Sequence, residues 1–172
     1  MKTKHVYGNI FDSDADAILH QVNCQGAMGS GIAKQVKDRY PVVYQHYKTL
    51  CDEHEKQRTR CCLNQSPLLG QIQICYKEDY LVGDPNMDTQ AIVNLFAQDG
   101  FGRGKCWTDY AALNECLKKV NLIFAGRKVA VPYHMSCCRG GGDWSVVSKM
   151  LEDTLVDCDV AIYEYDGGTS DG

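Results

Sequence analysis

Long apolar runs are missing from this chain of 172 residues. No stretch of about 18 apolar residues occurs, and without one there is no candidate membrane-spanning helix. The start, Met1-Lys2-Thr3-Lys4, leads directly into Val6-Tyr7 and a Gly8-Asn9 turn. It lacks the apolar segment and small-residue cleavage site of an export signal, so a cytoplasmic protein is expected. Basic charge is not in excess either: 18 Lys and Arg against 22 Asp and Glu give a net charge of -4. Binding to a nucleic-acid backbone draws its affinity from cations that displace counterions, so this balance argues against a general nucleic-acid binder. A local basic cleft for one anionic nucleotide remains compatible with it. Cys-x-x-Cys spacing is absent as well. The ten cysteines include the adjacent pairs Cys61-Cys62 and Cys137-Cys138, neither spaced for zinc, and the chain is long enough to build a core without disulfides. Reduced thiols and no metal are expected. The Walker A loop and a full Gly-x-Gly-x-x-Gly fingerprint are also missing, which removes two common nucleotide-binding motifs.

What is present is an alternation. Runs rich in branched residues at Ala17 to Val22, Ile72 to Tyr76, Ala91 to Phe96, Lys128 to Pro132 and Val160 to Tyr165 read as strands. Between them, Gly31 to Tyr40, Val42 to Glu55, Thr108 to Phe124 and Trp144 to Val156 have helical patterning. In the third of these, Leu113, Cys116, Leu117, Val120 and Phe124 form one apolar stripe. Strand and helix in turn predict an α/β fold with a mostly parallel sheet between helices, and ligand loops outside the carboxyl ends of the strands. Thr108 reads as the N-cap of the third helix, Gly126 as its stop, and Asp143 as the cap of the last helix. Asp52 to Gln65 and Asp84 to Thr89 read as irregular surface connections. One domain over residues 1–166 is expected, followed by a polar, glycine-rich, disordered tail at 167–172.

Two of the strand-to-helix turns are rich in glycine. The first is His20-Gln21-Val22-Asn23-Cys24-Gln25-Gly26-Ala27-Met28-Gly29-Ser30-Gly31-Ile32-Ala33. The second is Val131-Pro132-Tyr133-His134-Met135-Ser136-Cys137-Cys138-Arg139-Gly140-Gly141-Gly142-Asp143-Trp144. Glycine lets backbone N–H groups approach an anion, and the start of the following helix adds free donors and a favourable dipole. Two such loops can grip a diphosphate from both sides. The Asn23 amide both donates and accepts hydrogen bonds, and its bland role would be to stabilise the turn. Tyr7, Phe96, Phe101 and Trp107 are aromatic candidates for stacking, although such residues near strand ends commonly serve the core. Cys24 and Cys137 flank the loops and are read as packing residues.

These loops, with Gly8-Asn9-Ile10-Phe11, Asp16-Ala17-Ile18 and Asn94-Leu95-Phe96-Ala97-Gln98, resemble the macro domain family over nearly the whole chain. The branch it looks like holds the yeast-type ADP-ribose phosphate phosphatase and the terminal ADP-ribose protein glycohydrolases. The resemblance implies a three-layer α/β/α fold with a central mixed, mostly parallel sheet that binds ADP-ribose or ADP-ribosylated protein, with no cofactor. By position it puts Asn9 and Ile10 at the adenine, Asn23 at the distal ribose, and Gly29, Ser30, Gly31 and Ile32 at the diphosphate. Ser136, Cys137, Cys138, Arg139, Gly140 and Gly141 would close the other side. The chain departs from the family at Asn9, where an acid is common, at Ser136-Cys137-Cys138, where Gly-Cys-Gly is usual, and at Arg139, where an apolar residue is expected. Gln98-Asp99 and Gly140 stand near the places where the glutamate-directed glycohydrolases have a lysine and an aspartate. Hydrolysis would then use a water activated by the substrate phosphate, His134 or Asp99. Two readings follow: a hydrolase of an ADP-ribose derivative with Asn23, His134 and Asp99 as catalytic candidates, and a reader module that binds ADP-ribose without chemistry. A third, an α/β domain for another nucleotide or an RNA end, is the remaining alternative.

Overall fold

The computed structural model describes residues 2–77 and 90–165. The connection expected at Asp84 to Thr89 and the tail expected at 167–172 lie outside the described residues. The elements run β1 (Lys2–Tyr7), a single 3-10 turn (Ile10–Asp12), β2 (Ala17–Asn23), α1 (Gly31–Arg39), α2 (Pro41–Arg60), β3 (Ile72–Tyr76), β4 (Ala91–Gln98), α3 (Tyr110–Ile123), β5 (Lys128–Pro132), α4 (Trp144–Thr154) and β6 (Asp159–Glu164).

The six strands form one sheet in the order β1-β6-β5-β2-β4-β3. Every neighbouring pair is parallel except β3 with β4. The strand period of two divides the core. On β2 and β4, Ala17, Leu19, Ala91, Val93, Leu95 and Ala97 face the layer of α3 and α4, where they meet Leu113, Leu117, Val147 and Leu151. Ile18, Val22, Ile92 and Phe96 face the layer of α1 and α2, against Val36, Val43, Tyr47 and Cys51. Each fully buried Ile or Leu in these layers contributes about 1.5–3 kcal/mol of transfer free energy. The three-layer α/β/α arrangement expected from the alternation is therefore the observed one.

Two local expectations are corrected. Helix α2 does not stop near Glu55 but continues to Arg60, so Asp52–Arg60 is helical and not an irregular connection. Its buried residues end at Cys51. The last turns have no apolar stripe to show them, and charged pairs one turn apart, Lys48 with Asp52 and Glu55 with Arg58, support the exposed face instead. Helix α3 is capped by Asp109, whose carboxylate accepts from the Ala112 N–H, while Thr108 serves a different purpose described below. Asp143 caps α4 as expected, accepting from the Ser145 N–H at 2.8 Å.

The topology positions the site. The chain leaves β2 into α1 and α2 on one face and returns through β3 to β4, on one side of β2; it leaves β5 into α4 on the opposite face and returns to β6, on the other side. Neighbouring strands whose connections depart in opposite directions leave a crevice at their carboxyl ends. The pairing widens it: β2 and β5 are in register only at Ala17 with Val129 and Ile18 with Ala130, after which the two strands splay. At the same end a register shift between Val22 and Asn23 interrupts the pairing with β4, a bulge that re-aims the strand end.

Candidate functional site

Both glycine-rich loops open into this crevice and line a single cavity of about 310 Å³. From β2 and the first loop come His20, Gln21, Val22, Asn23, Ala27, Gly29, Ser30 and Gly31, followed by Ile32 and Ala33 of α1. The second loop contributes the continuous stretch from Pro132 to Gly140, and β4 and its exit add Gln98 and Phe101. Among the described residues no carboxylate or lysine lines the cavity, and Arg139 brings a full positive charge.

The first loop is organised by Asn23. Its side-chain oxygen accepts from the Gln25 N–H at 3.0 Å, the Ala27 N–H at 3.2 Å and the Tyr47 hydroxyl at 2.8 Å, while its amide donates to the Ala27 carbonyl at 2.7 Å. Most of the bonding capacity of this side chain is thus spent on the turn, which gives the turn-stabilising role a weight it did not have in the sequence. One amide hydrogen remains for the cavity that Asn23 lines. Ser30 occupies the N-cap of α1 in an extended conformation with no side-chain cap bond. The first-turn N–H groups therefore keep their donors and the positive end of the dipole for an anion.

The second loop carries backbone strain at defined points. His134 has φ 58 and Ser136 has φ 71, both in the left-handed region that glycine favours. Ser136 is held there by partners: its hydroxyl donates to the Gln21 side-chain oxygen at 2.6 Å, and its carbonyl accepts from the Thr108 hydroxyl and the Gly142 N–H, each at 2.9 Å. The Gln21 amide donates onward to Gln98 at 2.7 Å and to Thr108 at 2.9 Å, and the Gln98 amide donates to the Gly100 carbonyl at 2.9 Å. This network joins β2, β4, the start of α3 and the second loop under the cavity, and it explains why Thr108 does not cap α3. Gly140 packs onto it so closely that an added Cβ would stand 2.5 Å from the Ser136 carbonyl and 2.8 Å from the Gln21 amide nitrogen. Among the described residues, the backbone N–H groups of Gly29 and Ser30 in one loop, and of Ser136, Cys138, Arg139 and Gly140 in the other, have no hydrogen-bond partner. Residues with free backbone donors in both loops thus line one cavity.

His20 is a lining residue whose surroundings the sequence did not disclose. It is buried, and its Nε2 lies 2.6 Å from the Asn94 side-chain oxygen. The Asn94 amide donates to Gln73, which leaves the Asn94 oxygen toward the ring and assigns the proton to Nε2. Burial pushes the His20 pKa down to about 4, so the ring is neutral at pH 7 and its Nδ1, which has no partner, is a bare acceptor.

Several expected residues fall elsewhere. Asn9 does not reach the cavity because its side chain caps the 3-10 turn through the Phe11 N–H at 3.0 Å, and Ile10 is buried in the core beside it. Asp99 does not line the cavity either; its carboxylate is engaged by Arg58 at 3.4 Å, a partner from the end of α2. Gly141 turns away at φ 69 and faces a neighbouring depression. His134 is brought to the rim, where its ring stacks on Tyr133 at 3.9 Å and meets Trp144 edge-on. Of the aromatic candidates, Phe101 lines the cavity, Phe96 is in the core stacked on Tyr47, and Trp107 and Tyr7 lie outside it. All ten cysteines are free, and burial raises Cys24 to about 12 and Cys137 to about 11, which suppresses thiolate chemistry at both. Among the described residues, no three His, Cys, Asp or Glu side chains converge on a possible metal position. No helix among them is long and apolar enough to cross a membrane.

With the geometry in place, comparison with known proteins gives a consistent result. No family model matches the chain. The ADP-ribose 1''-phosphate phosphatase of Meyerozyma guilliermondii is 32% identical over 108 residues, covering 60% of this chain and 58% of that protein. The enzyme of the same name from Aspergillus clavatus is 26% identical over 176 residues, covering 85% of this chain and 86% of that one. The DNA ADP-ribosyl glycohydrolase of Mycobacterium tuberculosis is 27% identical over 167 residues, which is 94% of this chain but only 42% of that protein. The chain thus spans about half the length of two of these three relatives. Among solved structures, the macrodomain of Mycobacterium tuberculosis DarG superposes with a TM-score of 0.69 at 25% identity, covering 94% of this chain and 96% of that one. DarTG of Thermosipho africanus, solved in complex with ADP-ribose, superposes with a TM-score of 0.69 at 22% identity, covering 94% of this chain and 41% of that one. The sheet order, the paired loops at the carboxyl ends of β2 and β5, and these likenesses show that the chain has the macro domain fold.

Proposed function

We propose that the cavity binds ADP-ribose and that the chain hydrolyses an ADP-ribose derivative: a terminal ADP-ribosyl ester on protein, ADP-ribose phosphate or O-acetyl-ADP-ribose. The observation that carries this reading is that unpartnered backbone N–H groups, at Gly29 and Ser30 in one loop and at Ser136, Cys138, Arg139 and Gly140 in the other, belong to residues lining one cavity, with no carboxylate among its described lining residues. A diphosphate is a dianion that needs many donors and no competing negative charge. The start of α1 supplies the dipole and Arg139 the formal charge. Asn23 turns its remaining amide hydrogen to a ribose hydroxyl, and Phe101 and Tyr133 offer apolar faces to the sugar or base. Asn9, Ile10, Asp99 and Gly141, which do not line the cavity, are left out of this reading. Phosphatase and glycohydrolase relatives support a hydrolytic reaction, in which water attacks and the bond to the leaving group breaks. His134, which lines the cavity at its rim, is the side chain assigned to take the proton of that water.

A second reading, a module that binds ADP-ribose and performs no chemistry, draws on the lack of a carboxylate or lysine among the described lining residues. Calorimetric titration with ADP-ribose, using ATP as the control, tests the shared premise. Selective micromolar binding is expected; absence of heat with either nucleotide would sink both readings. Incubation with ADP-ribose 1''-phosphate and with protein ADP-ribosylated on acidic residues then separates them. Release of phosphate or of the label establishes the hydrolase, and tight binding without turnover establishes the reader.

A further inference from the structure

A second depression of about 390 Å³ adjoins the cavity and shares Cys138 and Arg139 with it as a common wall. Its other side is the loop leaving β4, with Arg103 and Lys105 carried between Gly102 and Gly104 and followed by Cys106. Among the described residues, three cationic side chains therefore border it and no carboxylate lines it. Among the described residues none of the three cations is in an ion pair: Lys105 lies over the Trp107 ring at 4.2 Å. The neighbouring donor supply is likewise unspent. Trp107 has a buried indole N–H with no partner, and a Cβ added at Gly102 would stand 3.9 Å from that nitrogen. The chain as a whole is acidic, with a net charge of -4, so a cationic bay on this edge is a local concentration and not a sample of the surface. Two of its cations are arginines, whose planar forks match phosphate oxygens in pairs. Gly102, Gly104 and Gly141 all have positive φ and carry no side chain over the floor of the bay.

We infer that this bay is a second anion site, which takes a phosphate group carried by a ligand that leaves the main cavity across Cys138 and Arg139. The inference rests on the reading that the main cavity holds ADP-ribose, and it assigns Arg103 and Lys105, which line only the bay, as residues that select among ADP-ribose derivatives. The phosphate is either the monoester of a small ligand or a phosphodiester of an oligonucleotide. The test compares ADP-ribose with ADP-ribose 1''-phosphate by calorimetric titration, in the unaltered protein and in the double variant Arg103→Gln, Lys105→Gln. Unaltered protein is expected to prefer the phosphorylated ligand by about tenfold, the worth of one charge-assisted hydrogen bond. The double variant is expected to lose that preference while its affinity for ADP-ribose itself stays unchanged.

A short single-stranded oligonucleotide without terminal phosphate, titrated into both proteins, distinguishes the sources. Binding that the double variant loses assigns the bay to a phosphodiester, and preference for the monoester alone assigns it to the small ligand; either result upholds the anion site. Equal affinity of the unaltered protein for the two ADP-ribose ligands with no oligonucleotide binding overturns the inference, as does a preference that survives the double substitution. An oligoglutamate peptide that binds through the same two residues overturns the phosphate assignment in favour of carboxylates. Failure of both ADP-ribose ligands to bind instead refutes the reading of the main cavity.

Discussion

Replacing Gly140 with alanine tests whether the second loop is fixed by its contact with the polar network beneath it. The new Cβ would meet the Thr108 hydroxyl, the Ser136 carbonyl at 2.5 Å and the Gln21 amide nitrogen at 2.8 Å. None of the three can simply withdraw, because Thr108 donates to the Ser136 carbonyl and Gln21 donates to Thr108. Overpacking of this kind costs about 1–3 kcal/mol, and a buried carbonyl deprived of its donor costs about 1–3 kcal/mol more. Partial relaxation of the loop brings the expected total to roughly 2–4 kcal/mol, or a fall in melting temperature of about 5–15 °C for a chain of this size. Both tryptophans flank the altered loop: the Trp107 N–H donates to the Gly140 carbonyl at 2.8 Å and Trp144 opens α4. Urea unfolding followed by tryptophan fluorescence therefore reads the perturbed region directly, and titration of ADP-ribose at a temperature where the variant is folded should show at least tenfold weaker binding. Gly29→Ala is the control, since a Cβ there meets nothing within 4 Å and the backbone is not in the left-handed region. Its stability should match or slightly exceed that of the unaltered protein. A Gly140→Ala protein with an unchanged midpoint and unchanged affinity would refute the assignment of the network as the support of the loop.

Gly31→Glu should abolish ADP-ribose binding, because the carboxylate enters the space of the diphosphate; its Cβ meets nothing within 4 Å, so the stability cost is the strain of positive φ, about 1 kcal/mol, and calorimetry and urea unfolding read the two effects separately. Asn23→Ala removes the acceptor of two loop N–H groups, while the Tyr47 hydroxyl keeps the Asn23 carbonyl, and a loss of about 2 kcal/mol together with weakened binding is expected; unchanged values in both measurements would refute its role. His20, pushed by burial to about 4 from its ordinary 6.5, gives a pH dependence of definite sign. Between those values the unfolded chain binds a proton that the folded chain refuses, so stability is complete above pH 6.5 and falls as the pH drops, by roughly 3 kcal/mol at pH 4 from this group. In His20→Gln that share of the acid loss should vanish, and identical pH profiles of unfolding free energy for the two proteins would contradict the assignment.

The sequence disclosed what short-range pattern encodes. Branched runs, the apolar stripe of α3 and the cap at Asp143 each announce an element within a few residues. The two glycine-rich turns announce a site because each lies between a strand and a helix. Adjacency of the loops followed from parallel topology, but its opening did not: β2 and β5 part after two paired residues, a property of the sheet that neither strand states alone. Asp99 illustrates the same limit. By resemblance it reads as a reacting group, whereas Arg58, from a helix extension without an apolar stripe, engages its carboxylate. Asn9 reads by resemblance as a ligand contact, and its side chain accepts from its own turn two residues on.

Ser136 shows most plainly why local reading ran out at the site. A side chain at a position where glycine is usual reads as an obstruction, and the left-handed backbone there, φ 71, is indeed one that side chains seldom adopt. Yet the hydroxyl donates to Gln21, and the carbonyl accepts from Thr108 and Gly142. The residue that costs backbone strain is thus the one that anchors the loop to β2 and to the start of α3. Such strain, of order 1–3 kcal/mol, persists only where surrounding bonds over-determine it. Here those bonds come from residues distributed over the chain with no common spacing, so no window of the sequence contains the reason that the loop keeps its shape.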